Sequence, residues 1–109
     1  MPITSAASIG LSGMRAAQLR LDTSAHNVAN AQTPHFQRQV VVQTAQPPSG
    51  GVQAQIAREP EASSVDGGDF SHLAEDMVAQ RTSVYSFAAN LRTVETQDRL
   101  LGALLDTRA

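Results

Sequence analysis

The fold is decided by one stretch near the N-terminus, Ser8 to Phe36, which reads SIGLSGMRAAQLRLDTSAHNVANAQTPHF. Alternating steps of four and three along it give a heptad pattern, apolar at most positions and glutamine at two: Ala7, Leu11, Met14, Gln18, Leu21, Ala25, Val28 and Gln32. The pattern stops at Thr33-Pro34, because proline disfavours a helical residue before it and cannot donate to a continuing helix. We therefore predict a helix over residues 5–32, with Thr4 or Ser5 as its N-cap.

A second heptad pattern near the C-terminus is longer than the first. It runs without interruption through Leu73, Met77, Gln80, Val84, Phe87, Leu91, Val94, Asp98, Leu101 and Leu105. The pattern predicts a helix over residues 70–107, capped by Asp69 or Ser71 and closed by the favourable charge of Arg108. Because this apolar stripe exceeds the length of the first helix, part of it is left over for a partner.

The residues between the two helices alternate with a period of two. Two short runs, around Val40 and around Ile56, read as β-strands on either side of a Pro- and Gly-containing turn at 46–51. Residues 59–68 have the composition of a linker. The expected fold is mainly α: two long terminal helices form an antiparallel coiled-coil-like pair, with a short β-hairpin and linker between them. The segments 1–34, 35–68 and 69–109 form one structural unit.

Composition limits both the core and the partners. The chain has 109 residues, one tyrosine, three phenylalanines, and no tryptophan or cysteine, so its core is thin and has no disulfide. The net charge is −2 and the arginines are dispersed, which argues against a nucleic-acid or anionic-membrane surface. No apolar run approaches the roughly 20 residues that span a bilayer, so we expect no membrane insertion. The N-terminus lacks the basic and apolar regions of a cleaved signal peptide.

The sequence offers no convincing active site. His26, His35 and His72 are the residues to consider as metal ligands or bases, and His26 has an acid, Asp22, four residues before it. A solvated helix face explains that pair better than a metal does. The adjacent acids at 75 and 76 point in different directions around a helix. We therefore expect no enzyme activity, no catalytic or metal-binding residue and no cofactor.

Two features of the heptads leave alternatives open. The polar residues Gln18, Gln32, Gln80 and Asp98 either fix the register of a coiled coil or simply face solvent. Gly10 and Gly13 either fray the start of the first helix or mark a flat face where another helix approaches closely.

The N-terminal stretch resembles the signature of the bacterial flagellar rod and hook axial proteins. In that family the pattern is approximately L-x-A-x-x-x-x-L-D followed by A-N-N-I-A-N-x-x-T-P-G-F. The matching positions here are Leu11, Ala16, Leu21, Asp22, Ala25, Asn27, Val28, Ala29, Asn30, Thr33, Pro34 and Phe36. His26 stands where the family has the first asparagine of its pair, and His35 stands where it has glycine.

The C-terminal stretch LAEDMVAQRTSVYSFAANLRTVETQDRLLGALLD is similar to the closing helix of the same family. The central GGVQAQIAREPE is similar to the middle of the small proximal-rod members, although this central segment is short even for them. Gln80-Arg81 come early relative to the family pattern, and Phe87 stands where tyrosine is usual. These departures bear on which rod position the chain fills.

The resemblance implies a structural subunit of the flagellar basal-body rod. It implies assembly with copies of itself and with other axial proteins, as a homo-oligomer, after passage through the flagellar type III export apparatus with an uncleaved N-terminus. The implied location is the periplasmic rod of the basal body. The residues expected at subunit contacts are Leu11, Met14, Leu21, Asn27, Val28, Asn30, Met77, Val84, Phe87, Leu91, Val94, Leu101 and Leu105.

Two other classes of function stay open from the sequence. One is a soluble helical-hairpin adaptor or chaperone that binds a single partner helix in a groove. The other, much weaker, is a small hydrolase that uses His26 or His72. Substitution of Leu91 or Leu101 by aspartate separates the first two classes, since it should abolish assembly of a rod subunit but break only one binary complex of an adaptor.

Overall fold

The computed structural model describes residues 6–33, 36–48, 50–59 and 72–107. Its elements are α1 (Ala6–Ala29), β1 (Gln39–Ala45), β2 (Val52–Arg58) and α2 (Leu73–Thr107). The predicted fold class, two long helices with a small antiparallel hairpin between them, is confirmed. Pro34, His35 and several predicted residues near the helix ends lie outside the described residues: Thr4, Ser5, the linker from 60 to 68, Asp69, Ser71 and Arg108.

Helix α1 ends at Ala29, three residues earlier than predicted. The amide of Asn30 still donates to the His26 carbonyl at 3.1 Å, but the amide of Ala31 donates to Val28, which is a tighter turn. The Asn30 side chain also donates to the His26 carbonyl at 2.9 Å, and the amide of Thr33 donates to the Asn30 carbonyl. The α-helical bonding therefore gives way to tighter turns before the proline is reached.

The two helices pack antiparallel at very short range. A β-carbon placed on Gly10 would lie 2.9 Å from Val94 Cγ2, and one placed on Gly13 would lie 2.6 Å from Asn90 Oδ1. The close-approach interpretation of the two glycines is thereby confirmed. Because Val94 lies opposite Gly10, the last part of α2 extends beyond the start of α1.

Small and polar residues line the contact between the helices. They recur every seven positions and form what we call the inner seam: Gly10, Ala17 and Ser24 on α1, and Asp76, Ser83, Asn90 and Gln97 on α2. All seven are buried or half-buried. The heptad positions predicted from the sequence lie one residue later on each helix, about 100° further round. The helix pair is therefore as predicted, but its contact is displaced toward the small and polar side of each helix, and Val94 of the predicted stripe still packs against Gly10.

The hairpin lies along α1. Strands β1 and β2 pair antiparallel from Gln39 opposite Arg58 to Ala45 opposite Val52. The turn end of the hairpin meets the start of α1, where the amide of Val52 donates to Ser12 Oγ at 3.2 Å. Gly50 and Gly51 have φ of 81° and 91°, conformations that glycine adopts without strain. An isolated two-stranded hairpin is only marginally stable, so α1 supports it.

The described residues bury very little apolar volume. Ala16 and Ala17 are the buried hydrophobic residues, and no large side chain is fully buried. The fold is long and thin, 68 × 26 × 14 Å. The described helices include none that is long and apolar enough to cross a membrane. A core of this size leaves the folded chain little stability of its own.

Candidate subunit-interaction surface

Asn27 joins the end of α1 to the start of the hairpin. Its side-chain amide donates to the Gln39 carbonyl at 2.8 Å, and its side-chain oxygen accepts from the Gln39 amide at 2.9 Å. The side chain thus pairs with the backbone of Gln39 as a neighbouring strand would. Asn27 is buried, and the sequence had placed it among subunit contacts. Its bonds in this structure are internal ones.

Replacing Asn27 by alanine is expected to lower the free energy of unfolding by about 2 kcal/mol, because two backbone groups lose their partner in a partly buried position. Replacing the exposed Gln43 by alanine is the control, with an expected change below about 0.5 kcal/mol. Urea denaturation followed by circular dichroism measures both. Equal stabilities for the two variants would show that the bonds to Gln39 contribute nothing.

A buried ion pair ties the hairpin to the first turn of α2. The Arg38 guanidinium donates to both carboxylate oxygens of Asp76, through Nε at 3.3 Å and through Nη2. Its Nη1 also lies 3.3 Å from Glu59 Oε1, just after β2. The Asp76 side chain is only 7 % exposed and that of Arg38 only 19 %. One arginine therefore links the entrance of β1, the exit of β2 and the start of α2.

The surroundings favour the charged form of Arg38. Burial alone lowers the pKa of the guanidinium, but the hydrogen bond to Asp76 and the nearby carboxylates of Asp76, Glu59 and Glu75 outweigh that effect. The net result is a pKa above the ordinary value. The charged guanidinium of Arg38 therefore stabilises the fold fully at any pH below its pKa in the unfolded chain. This stabilisation is lost only when the pH rises through the pKa in the folded chain, which is higher still. The arginine thus stays ionised at any pH at which the protein is handled.

The apolar heptad residues lie side by side on one surface of the helix pair. We call this the apolar face and define it as Leu11, Met14, Leu21 and Val28 of α1 with Met77, Val84, Phe87 and Leu91 of α2. Leu11, Met77, Val84 and Leu91 are exposed, and the other four are half-buried. Met77, for example, is 54 % exposed and Val84 52 %. The described part of the chain therefore covers this face only in part.

The geometry of two antiparallel helices places the apolar face opposite the hairpin. Each exposed member follows a residue of the inner seam by one position, which is a rotation of about 100°. In two antiparallel helices that face each other, this rotation points the exposed side chains of α1 and those of α2 toward the same side of the pair. The hairpin contacts α1 through Ile9, Ser12 and Asn27, on the other side. The hairpin therefore lies on one side of the two-helix layer, and the apolar face lies on the opposite side.

The end of α2 carries a second exposed apolar cluster. The leucine end consists of Leu100, Leu101, Leu104 and Leu105, which are 52 to 70 % exposed. Leu101 and Leu104 lie seven residues after Val94 and Gln97, so they continue the side of α2 that contacts α1, but this stretch lies beyond the start of α1. Val94, by contrast, is half-buried against Gly10. The part of the second apolar stripe that the sequence predicts to extend past the first helix is exposed at this end of α2.

The polar heptad positions largely face solvent. Gln18, Gln32 and Asp98 are exposed and Gln80 is half-buried. Within one chain, three of these four side chains therefore face solvent rather than fix the register of the helix pair. If they fix a register, it is that of a contact with another molecule.

The histidines do not form a site in the described residues. His26 is exposed and its ring packs against Phe36, with centroids 5.3 Å apart. Within residues 6–33, 36–48, 50–59 and 72–107, no cluster of three or more histidine or acidic side chains could hold a metal ion. An open groove of about 390 Å³ does lie between the helices and β1. Its lining includes the Arg38–Asp76 pair and no histidine.

Sequence reasoning missed the inner seam and the Arg38–Asp76 pair. The seam did leave a signal, since Asp76, Ser83, Asn90 and Gln97 recur at intervals of seven. This pattern of small and polar residues was overlooked because the apolar heptad pattern one position later is stronger. The ion pair left no local signal, because 38 positions separate its partners.

The described residues form a thin helical hairpin with exposed apolar side chains on one face and at the end of α2. Residues 8–37 match the family model described as flagella basal body rod protein. The match confirms the predicted resemblance to the flagellar rod and axial proteins over these residues of the N-terminal segment. No curated protein matches the chain significantly. The narrower likeness to small proximal-rod members stays a prediction.

Proposed function

We propose that the chain is a structural subunit of the flagellar basal-body rod that assembles with copies of itself and with other axial proteins through its apolar face and leucine end. The family match supports the basal-body rod role and a flagellar location. The partners, the oligomeric state and the export route are the parts we propose here.

The observation that carries the proposal is where the apolar side chains lie. The fully buried apolar residues of the described chain are two alanines, while six heptad residues are exposed: Leu11, Met77, Val84, Leu91, Leu101 and Leu105. Burying one such side chain contributes roughly 1.5–3 kcal/mol. The exposed set is therefore a larger source of free energy than the internal core, and association with neighbouring helices is what releases it.

The two apolar surfaces suit repeated addition of subunits. The apolar face and the leucine end are different patches at different places on the molecule. A contact that joins one patch on a subunit to a different patch on the next generates a helical array whenever its rotation does not close into a ring. A rod needs an array of this kind.

We also propose that the chain leaves the cytoplasm unfolded through the type III export apparatus, with its N-terminus uncleaved. The small core supports this, because little free energy opposes unfolding before transport. The absence of cysteine from the sequence also means that no disulfide obstructs the passage.

Replacing Leu101 by aspartate tests the proposal in cells. We expect rods to fail to assemble and swimming to be lost, while the purified variant keeps its helical content, since Leu101 is not part of the internal core. Thr96→Asp adds the same charge to an exposed position of α2 outside the leucine end, and it should swim. Motility in soft agar and electron microscopy of basal bodies give the readout.

Normal rods in the Leu101→Asp strain would contradict the proposal. If the substitution left rods intact but abolished one binary complex in pull-downs, an adaptor or chaperone that binds a single helix would replace it. Leu91→Asp extends the test to the apolar face.

A further inference from the structure

The edge of α2 that points away from α1 carries a third heptad pattern, distinct from the inner seam and from the apolar face. Alternating steps of four and three connect eight residues, which we call the outer edge: Arg81, Tyr85, Ala88, Arg92, Glu95, Arg99, Gly102 and Asp106. All eight are exposed. On a helix this spacing keeps them in one line along the side remote from the contact with α1.

The charges of the outer edge have no partners inside the described chain. Its three arginines and two acids form none of the ion pairs found within residues 6–33, 36–48, 50–59 and 72–107. A line of unpaired charges of both signs on a long helix is suited to another charged helix.

The outer edge is also complementary to itself when reversed. If a second copy of α2 runs antiparallel, with a two-fold axis between Thr93 and Val94, Arg92 faces Glu95 and Arg81 faces Asp106. The same register sets Ala88 against Arg99 and Tyr85 against Gly102. Each ion pair occurs twice, and no two like charges stand directly opposite each other. An isologous contact requires this kind of self-complementarity.

Gly102 supplies a second, independent reason. A glycine in a helix interior is destabilising unless a close approach uses it. The glycines at 10, 13, 50 and 51 each have neighbours that a β-carbon would meet, but a β-carbon on Gly102 would meet nothing within 4 Å. The bare backbone at 102 leaves room for the Tyr85 ring of the other copy, and that ring is 67 % exposed.

We propose that two copies of this chain pair antiparallel through the outer edges of their α2 helices. The contact is isologous, so it closes on itself and leaves the apolar face and leucine end of both copies for other neighbours. It does not rest on the proposed rod function. Because exposed ion pairs are individually weak and screened by salt, the dimer should dissociate as ionic strength rises.

Disulfide cross-linking tests the register, since the chain has no cysteine of its own. The variants Ala88→Cys and Arg99→Cys are purified separately, mixed and oxidised gently. We expect a mixed disulfide between them and little cross-linking of either variant with itself. Thr93→Cys, on the other side of α2, is the matched control. Cross-linking of Ala88→Cys to itself, or no yield above the control, would overturn the proposal.

A charge exchange tests the energetics. Arg92→Glu sets two acids opposite each other twice and should make the chain monomeric by sedimentation velocity at low salt. The double variant Arg92→Glu/Glu95→Arg restores complementarity and should restore the dimer. Both positions are exposed, and circular dichroism confirms the helical content of each variant. A wild-type monomer at low salt, or a double variant no better than the single one, would contradict the pairing.

Discussion

Replacing Arg38 by alanine is expected to lower the free energy of unfolding by about 3 kcal/mol. The substitution leaves Asp76 buried with no cation, and an uncompensated buried charge is strongly destabilising. It also removes the link between the hairpin and α2, since Glu59 and Asp76 share this one guanidinium. A lower melting temperature and a lower urea midpoint, both followed by far-ultraviolet circular dichroism, report the loss.

Two further variants separate the ion pair from a general effect of losing an arginine. Arg58→Ala removes an exposed arginine at the end of β2, and stability should change by less than about 0.5 kcal/mol. The double variant Arg38→Ala/Asp76→Ala should lose less than the sum of the two single losses, because neither charge is then left alone. Additive losses would mean that the two side chains act independently, against the geometry described above.

Gly10→Leu is expected to destabilise the helix pair by about 2 kcal/mol. The first atom of any side chain at this position would lie 2.9 Å from Val94 Cγ2 and 3.2 Å from the backbone oxygen of Asn90. The Asn90 backbone cannot move away without distorting α2, so the helices must separate. The gain in helix propensity over glycine, about 1 kcal/mol, offsets only part of this.

Gly102→Leu is the matched control, because the same change is made in a helix where nothing lies within 4 Å. It should leave the free energy of unfolding unchanged or raise it by up to about 1 kcal/mol. Denaturation is measured at high salt and low protein concentration, so that association does not contribute. The two variants are thus predicted to shift stability in opposite directions, and equal shifts would be incompatible with the close helix contact at Gly10.

Much of the fold was predictable because the elements depend on local patterns. The heptads identify both helices, and the change to a period of two identifies the hairpin between them. The end of α1 was predicted from proline, but the helix gives way earlier to a tighter turn, in which the amide of Ala31 donates to the Val28 carbonyl. Proline restricts the residue before it and does not say how many residues earlier the helix ends.

The relative rotation of the helices was not predictable from hydrophobicity. An apolar stripe marks the side of a helix that needs cover, but it does not say whether the cover comes from the same chain. Here Gly10 and Gly13 allow such a close approach that the polar and small side of α2 packs on α1. The apolar stripes are consequently left for other molecules, which is the outcome expected of a subunit that completes its core by assembly.

The partners of Asn27 were also beyond the sequence. The family resemblance gave its position and implied a subunit contact. Its bonds to Gln39 depend on how the chain turns between α1 and β1, and no periodicity encodes that turn. Whether the exposed residues of the predicted contact set meet neighbouring subunits stays a prediction.

The central claim is that the apolar face is open in the free chain and covered in the rod. Single cysteines can report this directly, because the natural chain has none. Val84→Cys lies on the apolar face, and Gln53→Cys lies on an exposed position of the hairpin. The measurement is the rate of maleimide labelling in the dilute purified protein and again in isolated basal bodies.

We predict that Val84→Cys is labelled rapidly in the free protein and is protected in basal bodies, with a much smaller change at Gln53→Cys. Rapid labelling of Val84→Cys in both states, or slow labelling already in the dilute free chain, would contradict the account.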